Sequence, residues 1–159
     1  MSLNNTATNL ADAAKKTSVS LLNARVAEAI DLALTVKQAH WNMRDEQFVS
    51  IHEMVNGFRA QLHDHIDTMA ERVAELGGVT RGTVQDVAKA SRLCPYPTDI
   101  NETSDHLVAL VSRYGHVAHN VRRSINEADE GGDTNTAHIF TQISEDLDKA
   151  LRTLKAHSE

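Results

Sequence analysis

Four side chains that can bind metal ions lie on one stretch of the chain at helical spacing. His52 and Asn56 are four residues apart, and so are Asp67 and Glu71, so each pair shares one face of a helix. The fifteen positions from His52 to Asp67 correspond to roughly 22 Å along a helix axis. One subunit therefore cannot close a single metal site with both pairs.

The two pairs are related by a centre of symmetry in the sequence. Positions 52 and 71 are equally distant from a point between Gln61 and Leu62, and so are positions 56 and 67. If two copies of this helix cross antiparallel at that point, His52 of one copy faces Glu71 of the other. A polar ridge on a helix is usually a solvated face, but this one combines acids with imidazoles rather than glutamates with lysines. The spacing thus suggests a metal site shared between subunits.

A further histidine extends this set. His40 takes the next position of an apolar stripe on the preceding helix, where a core residue would be expected. Alone it would more often be a buried histidine with a hydrogen-bond partner than a ligand, but His52 follows soon after the turn. Two imidazoles with the carboxylates of Asp67 and Glu71 suit Fe²⁺ or Zn²⁺, whereas Ca²⁺ and Mg²⁺ prefer oxygen ligands. Bundle proteins that bind two irons inside one subunit use Glu-x-x-His, which this sequence lacks.

Periodic apolar residues predict the helices that position these side chains. Long helices are expected at about 17–43, 47–76 and 103–128, and a fourth after Asp133, which can cap it. Glycine pairs at 77–78 and 131–132 end the second and third helices. Two helix pairs joined by a long crossover, with a short helix at 84–91, predict an all-α, ferritin-like four-helix bundle. We expect residues 1–14 to form a mobile tail and residues 15–159 to form the bundle domain.

The composition narrows the class of protein. The chain has 159 residues, enough for one domain, and its net charge of −6 argues against a generally basic nucleic-acid surface. No apolar run approaches the ~20 residues of a membrane span, and no signal-peptide pattern is present. Cys94 is the sole cysteine and cannot form an internal disulfide, so a cytoplasmic location is expected.

Several segments resemble the Dps family (DNA-binding proteins from starved cells), which are bacterial mini-ferritins. The resemblance covers nearly everything after residue 15, and the segments that carry it are KQAHWNMR at 37–44, FxxIHEM at 48–54, DHxDxMAER at 64–72 and LGG at 76–78. It implies a hollow dodecamer that protects against oxidative stress and has a ferroxidase centre at each two-fold interface. There, hydrogen peroxide oxidises Fe²⁺, and ferric mineral is stored inside. The implied ligands are His40 and His52 of one subunit with Asp67 and Glu71 of its partner.

The resemblance also implies roles for two neighbours of His40. Trp41 would lie beside the centre as an aromatic that quenches radicals, and core packing is the alternative. Lys37, one turn before His40, would pair with Asp67 when metal is absent, and a plain surface lysine is equally expected.

One position departs from the family. Where Dps proteins usually have an aspartate four residues after the second histidine, this chain has Asn56. An amide oxygen is neutral and a poorer iron ligand than a carboxylate. We therefore expect the centre to hold one iron firmly and the second weakly.

Other candidate sites carry less information. Asp129, Glu130 and Asp133 cluster at the turn before the last helix and are predicted to line acidic pores that draw in cations, although an exposed turn with a helix cap is equally expected. His106, His116 and His119 are predicted to be surface or interface histidines.

DNA condensation by a nucleoid-associated protein is the alternative function, and the charges support it weakly. Nonspecific DNA binding needs clustered Lys and Arg. Residues 1–14 contain neither, and the first basic residues are Lys15 and Lys16. Near the C-terminus, Arg152, Lys155 and His157 form a modest second patch. A helical assembly without a working metal centre is a third class, credible only if Asn56 abolishes oxidation.

We expect this protein to bind duplex DNA weakly or not at all, because few cations are available to displace counterions from the phosphates. A gel-shift assay at low salt, repeated at physiological salt, measures this. Tight binding that weakens steeply with salt would instead rank DNA condensation above iron oxidation.

Overall fold

The computed structural model describes residues 2–46 and 48–158, and this part of the chain is all-α. Its helices are α1 (Asp12–Asn42), α2 (Phe48–Glu75), α3 (Val84–Ala90), α4 (Thr103–Glu130) and α5 (Thr134–Ser158). The prediction of four long helices with a short one in the crossover is confirmed. The start predicted for the second helix, at Gln47, lies outside the described residues. The first helix begins five residues earlier than predicted, at Asp12.

The helices pack as two hairpins. α1 contacts α2, and α4 contacts α5, while further contacts join α1 to α4 and α2 to α5. Short connections make the partners within each hairpin antiparallel, and the long crossover places α3 against α1. Among the helices of the described residues, none combines the length and apolar composition that crossing a lipid bilayer demands.

The predicted apolar stripes fill the interior of this bundle. Its largest fully buried side chains include Tyr114, Phe140, Leu22, Leu32 and Met69. Each apolar side chain of this size contributes roughly 1.5–3 kcal/mol when it leaves water. Ala39 is the last buried residue of α1, and His40 follows it at the half-buried edge of the core.

The glycine pair after α2 ends the helix as predicted. Gly77 has a φ of 80°, and its N–H bonds to the carbonyl of Ala74 at 2.9 Å. The N–H of Gly78 bonds to the carbonyl of Val73, also at 2.9 Å, which completes a Schellman motif. The carbonyl of Gly77 accepts a hydrogen bond from the N–H of Asn4 at 2.9 Å. A Cβ at position 77 would lie 2.5 Å from the Asn4 oxygen, so this contact requires glycine.

The N-terminal segment is therefore held against the end of α2 in this structure. Leu3 and Leu10 also pack against the core. The mobility expected for residues 1–14 and a domain boundary at residue 15 stay predictions.

A long-range helix cap secures the turn between α1 and α2. The carboxylate of Asp45 accepts hydrogen bonds from the backbone N–H of Thr103 at 2.8 Å and from its hydroxyl at 2.7 Å. Thr103 is the fully buried first residue of α4, where a negative charge also balances the helix dipole. The ends of α1 and α2 that carry His40 and His52 are thereby anchored to α4.

A buried ion pair anchors the opposite end of α2. The Arg72 guanidinium donates to Asp133 Oδ1 at 2.9 Å and to Thr136 Oγ1 at 3.0 Å. Asp133 also accepts from the backbone N–H of Thr136 at 3.1 Å, so its predicted cap of α5 is confirmed. Burial raises the pKa of Asp133, but hydrogen bonds from Thr136 and Ser18 and the charge of Arg72 outweigh this, so its pKa lies below its ordinary value.

Asp133→Ala is expected to lower the free energy of unfolding by about 2–4 kcal/mol, because it removes a cap and leaves the Arg72 charge buried without its partner. Asp133→Asn keeps the cap but loses the charge. The folded-state pKa of Asp133 is depressed, so the unaltered protein should have a higher free energy of unfolding than Asp133→Asn. This difference should be fully present above about pH 4 and should disappear as the pH falls through the folded-state pKa.

Urea unfolding at several pH values measures both effects. Asp129→Ala removes an exposed carboxylate from the same turn and should change stability by less than about 0.5 kcal/mol. Equal losses in Asp129→Ala and Asp133→Ala would contradict this account.

Candidate metal centre

Two histidines from different helices meet at one end of the bundle. His40, in the last turn of α1, and His52, near the start of α2, approach with their Nε2 atoms 2.8 Å apart. Their ring centroids are 3.8 Å apart at an angle of 51°. Such a contact requires one Nε2–H to donate to the lone pair of the other ring, so at least one imidazole is neutral. Metal–nitrogen bonds are about 2.0–2.1 Å long, so a small movement of the rings would admit a divalent ion.

Asn56 completes this histidine group from the next turn of α2. Its Nδ2 lies 3.3 Å from His40 Nε2. An amide nitrogen has no lone pair for a metal, so Asn56 can act as a ligand only if its amide turns to present Oδ1. An aspartate at this position would need no such turn and would add a negative charge.

The surroundings of His40 favour its neutral form. Burial lowers the pKa of His40, and the nearby positive charges of His52, Lys37 and Arg59 lower it further. The Lys37 ammonium lies 3.5 Å from His40 Nδ1. Neutral imidazole is the metal-binding form, so these surroundings favour the state of His40 that a divalent ion would bind.

Asp67 and Glu71 are exposed on α2, remote from the histidines. Since α2 is unbroken from Phe48 to Glu75, His52 and Asp67 lie roughly 22 Å apart along its axis, as the sequence predicts. Within residues 2–46 and 48–158, no three His, Cys, Asp or Glu side chains gather closely enough to hold a metal ion. A centre that joins both pairs would need a second copy of the chain, and the ligand roles of these residues stay predictions.

The histidine end of the bundle also exposes large apolar side chains. Trp41 is 64% exposed, and Leu34, which lies two turns earlier on the same face of α1, is 58% exposed. The Lys37 ammonium lies 5.5 Å from the centre of the Trp41 ring. In the single subunit Lys37 therefore contacts Trp41 and His40, and its predicted pairing with Asp67 concerns a second copy.

The acidic turn after α4 divides into two kinds of carboxylate. Asp129 and Glu130 are exposed, whereas Asp133 is 1% exposed and is occupied by Arg72 and the cap of α5. The Asp129 and Glu130 carboxylates are thus accessible to cations in solution. The pore role stays a prediction for this turn.

One histidine assignment from the sequence is wrong. His106, predicted at the surface or an interface, is 1% exposed and lies 2.7 Å from the Tyr96 hydroxyl. The signal was its position, four residues before Leu110 and eight before Tyr114, on the inward face of α4. Asp45 was also missed, because its partner Thr103 is 58 residues away.

Comparisons with known proteins agree on one family. A family model described as a ferritin-like domain matches residues 19–159. A DNA protection during starvation protein of Agrobacterium fabrum is 49% identical over 99% of this chain and 97% of its own length. The protein of that name from Mycolicibacterium smegmatis is 29% identical over 94% of this chain and 81% of its own. A solved structure, the tetragonal form of Mycobacterium smegmatis Dps, superposes with a TM-score of 0.92 at 27% identity, covering 97% of this chain and 94% of that one.

Asn56→Asp is expected to tighten binding of the second divalent ion by at least about tenfold, roughly 1.4 kcal/mol, because a carboxylate ligand replaces a neutral amide. Anaerobic calorimetric titration with Fe²⁺ measures this. Asn126→Asp adds the same charge at an exposed position of α4 and should leave the affinity unchanged. Two equally tight ions per centre in the unaltered protein would contradict the expectation.

Proposed function

We propose that this chain, which belongs to the Dps family of ferritin-like proteins, oxidises Fe²⁺ with hydrogen peroxide and stores the ferric product. The observation that carries this proposal is the His40–His52 pair, with Nε2 atoms 2.8 Å apart, at one end of a helix whose other end exposes Asp67 and Glu71. The assembly proposed is a hollow cytoplasmic dodecamer built from two-fold pairs.

The proposed pair places two copies of α2 antiparallel across a two-fold axis near Gln61 and Leu62. His52 of each copy then faces Glu71 of the other, and Asn56 faces Asp67. A two-fold contact is isologous, so one interface forms two identical centres. The exposed Trp41 and Leu34 support a contact there, since apolar side chains of this size gain by leaving water.

The charges of the two half-sites are complementary. The histidine half has Lys37 and Arg59 nearby, and these lower the pKa of His40. The other half presents the exposed carboxylates of Asp67 and Glu71. When the two halves meet, the positive charges of one are balanced by the carboxylates of the other. Lys37 is proposed to form an ion pair with Asp67 until iron binds.

The ligand set suits Fe²⁺ as a substrate. Neutral imidazoles bind Fe²⁺, while carboxylates bind the more highly charged Fe³⁺ strongly and so favour oxidation. Two Fe²⁺ ions supply the two electrons that reduce hydrogen peroxide to two hydroxide ions, and no hydroxyl radical is released.

Trp41, next to His40, is proposed to quench radicals that do form. Asp129 and Glu130 are proposed to attract Fe²⁺ to its entry point.

Iron oxidation ranks above DNA binding. The relatives are named for DNA protection, and removal of Fe²⁺ and peroxide would protect DNA without contact. Lys15 is only 8% exposed, which leaves Lys16 as the more available cation at the start of α1. The start of α1 therefore offers few exposed cations that could bind the phosphate groups of DNA.

Complementation between two inactive variants tests the shared centre. One variant lacks the histidines (His40→Ala with His52→Ala), and the other lacks the acids (Asp67→Ala with Glu71→Ala). Each alone should oxidise Fe²⁺ at the background rate. Co-assembled at equal amounts they should regain about a quarter of the centres, because half of the random pairs are mixed and each mixed pair has one complete centre.

Stopped-flow oxidation with peroxide, and separately with oxygen, measures the recovery. Native mass spectrometry confirms that mixed assemblies have formed. Mixed assemblies that stay inactive would refute the shared centre, and high activity of either variant alone would refute its ligands.

A further inference from the structure

A hydrogen-bonded tyrosine–histidine pair lies beneath the turn between α1 and α2. The Tyr96 hydroxyl oxygen lies 2.7 Å from His106 Nδ1, and the two rings are nearly parallel, at 16°. Tyr96 belongs to the crossover before α4 and is half-buried, whereas His106, in the first turn of α4, is 1% exposed. The proposed centre does not use this pair, and the packing of a tyrosine does not require a base at its hydroxyl.

The groups around His106 fit it to take up and return a proton. Burial lowers the pKa of His106, so its ring is neutral at rest and accepts the phenol hydrogen bond. Oxygen-bearing groups act in the opposite direction and favour the protonated ring, namely the backbone carbonyls of Ile100 and Asn42 and the carboxylates of Asp105 and Asp45. These groups offset part of the cost of burying a proton that passes from Tyr96 to His106.

Arg113 adds a positive charge beside the Tyr96 ring. Its guanidinium carbon lies 4.9 Å from the centre of the Tyr96 ring, and it donates to the carbonyls of Cys94 and Pro95. Burial raises the pKa of Tyr96, and Arg113 lowers it to a smaller extent. The phenol thus keeps its proton until an electron is removed, after which Arg113 favours the proton's departure.

Tyr114 provides an internal comparison. It is 1% exposed, and burial raises its pKa as well. Its hydroxyl oxygen has no hydrogen-bond partner among the residues that the structure describes. A phenol that loses an electron becomes strongly acidic, so its oxidation requires a base within reach. Among the residues that the structure describes, Tyr96 has such a base in His106, and Tyr114 has none.

We propose that Tyr96 is a one-electron redox residue, with His106 as its proton acceptor, that supplies the second electron to peroxide when the centre holds a single Fe²⁺. The inference rests on the proposed function and extends it. Asn42, whose carbonyl acts on His106, follows Trp41 and lies two residues after His40. The pair therefore adjoins the end of α1 that carries the centre.

The step balances in atoms and electrons. One Fe²⁺ and Tyr96 each give one electron to hydrogen peroxide, whose O–O bond breaks to form two hydroxide ions. The products are Fe³⁺, a neutral tyrosyl radical and protonated His106. A later Fe²⁺ returns an electron to Tyr96, and His106 returns the proton. Two Fe²⁺ ions are consumed per peroxide even though they arrive separately, which suits a centre weakened at one position by Asn56.

Freeze-quench electron paramagnetic resonance tests the proposal. The assembled protein is loaded anaerobically with one Fe²⁺ per centre, mixed with one equivalent of hydrogen peroxide and frozen. A tyrosyl radical is expected in the unaltered protein and in Tyr114→Phe, and it should be lost in Tyr96→Phe. His106→Gln keeps a hydrogen-bond acceptor but no base and should lose most of the signal. If that variant fails to fold, Tyr96→Phe, which removes a single hydroxyl, still tests whether the radical forms on Tyr96.

A second arm uses metal-free protein and a photochemical oxidant, flash-oxidised ruthenium tris-bipyridine. Here too the tyrosyl signal should depend on Tyr96 and not on Tyr114. If the proposed function is wrong, the peroxide experiment should give no tyrosyl signal in any variant. The photochemical experiment would still distinguish Tyr96 from Tyr114 and would support the redox role of the Tyr96–His106 pair. A signal that survives Tyr96→Phe, or that disappears equally in Tyr114→Phe, overturns the assignment.

Discussion

The rigidity of one helix constrains the rest of the molecule. α2 runs for 28 residues without a break and carries His52 and Asn56 near one end and Asp67 and Glu71 near the other. A helix cannot fold back on itself, so these groups cannot meet within one chain. In the two-fold pair that we propose, the same rigidity would bring both pairs of half-sites into register at once.

Both ends of α2 are held by charged groups that reach the other hairpin. Asp45 caps α4 beside the histidine end, and Arg72 binds the cap of α5 near the carboxylate end. Asp45 and Asp133 each accept a hydrogen bond from one backbone N–H at a helix start. The two polar contacts therefore tie the two ends of α2 to α4 and α5.

The elements that the sequence predicted are those with local signals. The 3.6-residue periodicity located the long helices, and Gly77-Gly78 located the end of α2, since both depend on neighbours in the chain. The start of α1 was placed too late because Ala11, its cap, makes no side-chain hydrogen bond. Asp45 and the Tyr96–His106 pair depend on partners distant in sequence or on an approach of the crossover to α4 that no periodicity records. The spacing of His52, Asn56, Asp67 and Glu71 was readable because helical geometry is itself a local rule.

The unbroken course of α2 has a consequence for inheritance. In a monomeric enzyme a defective allele is usually recessive, since the products of the normal allele work alone. Here each subunit would lend histidines to one centre and carboxylates to the other, so a substitution that bends α2 would inactivate both centres of any pair it enters. A cell carrying one normal and one such allele would retain fewer than half of its centres. Damage to this helix should therefore behave as partly dominant.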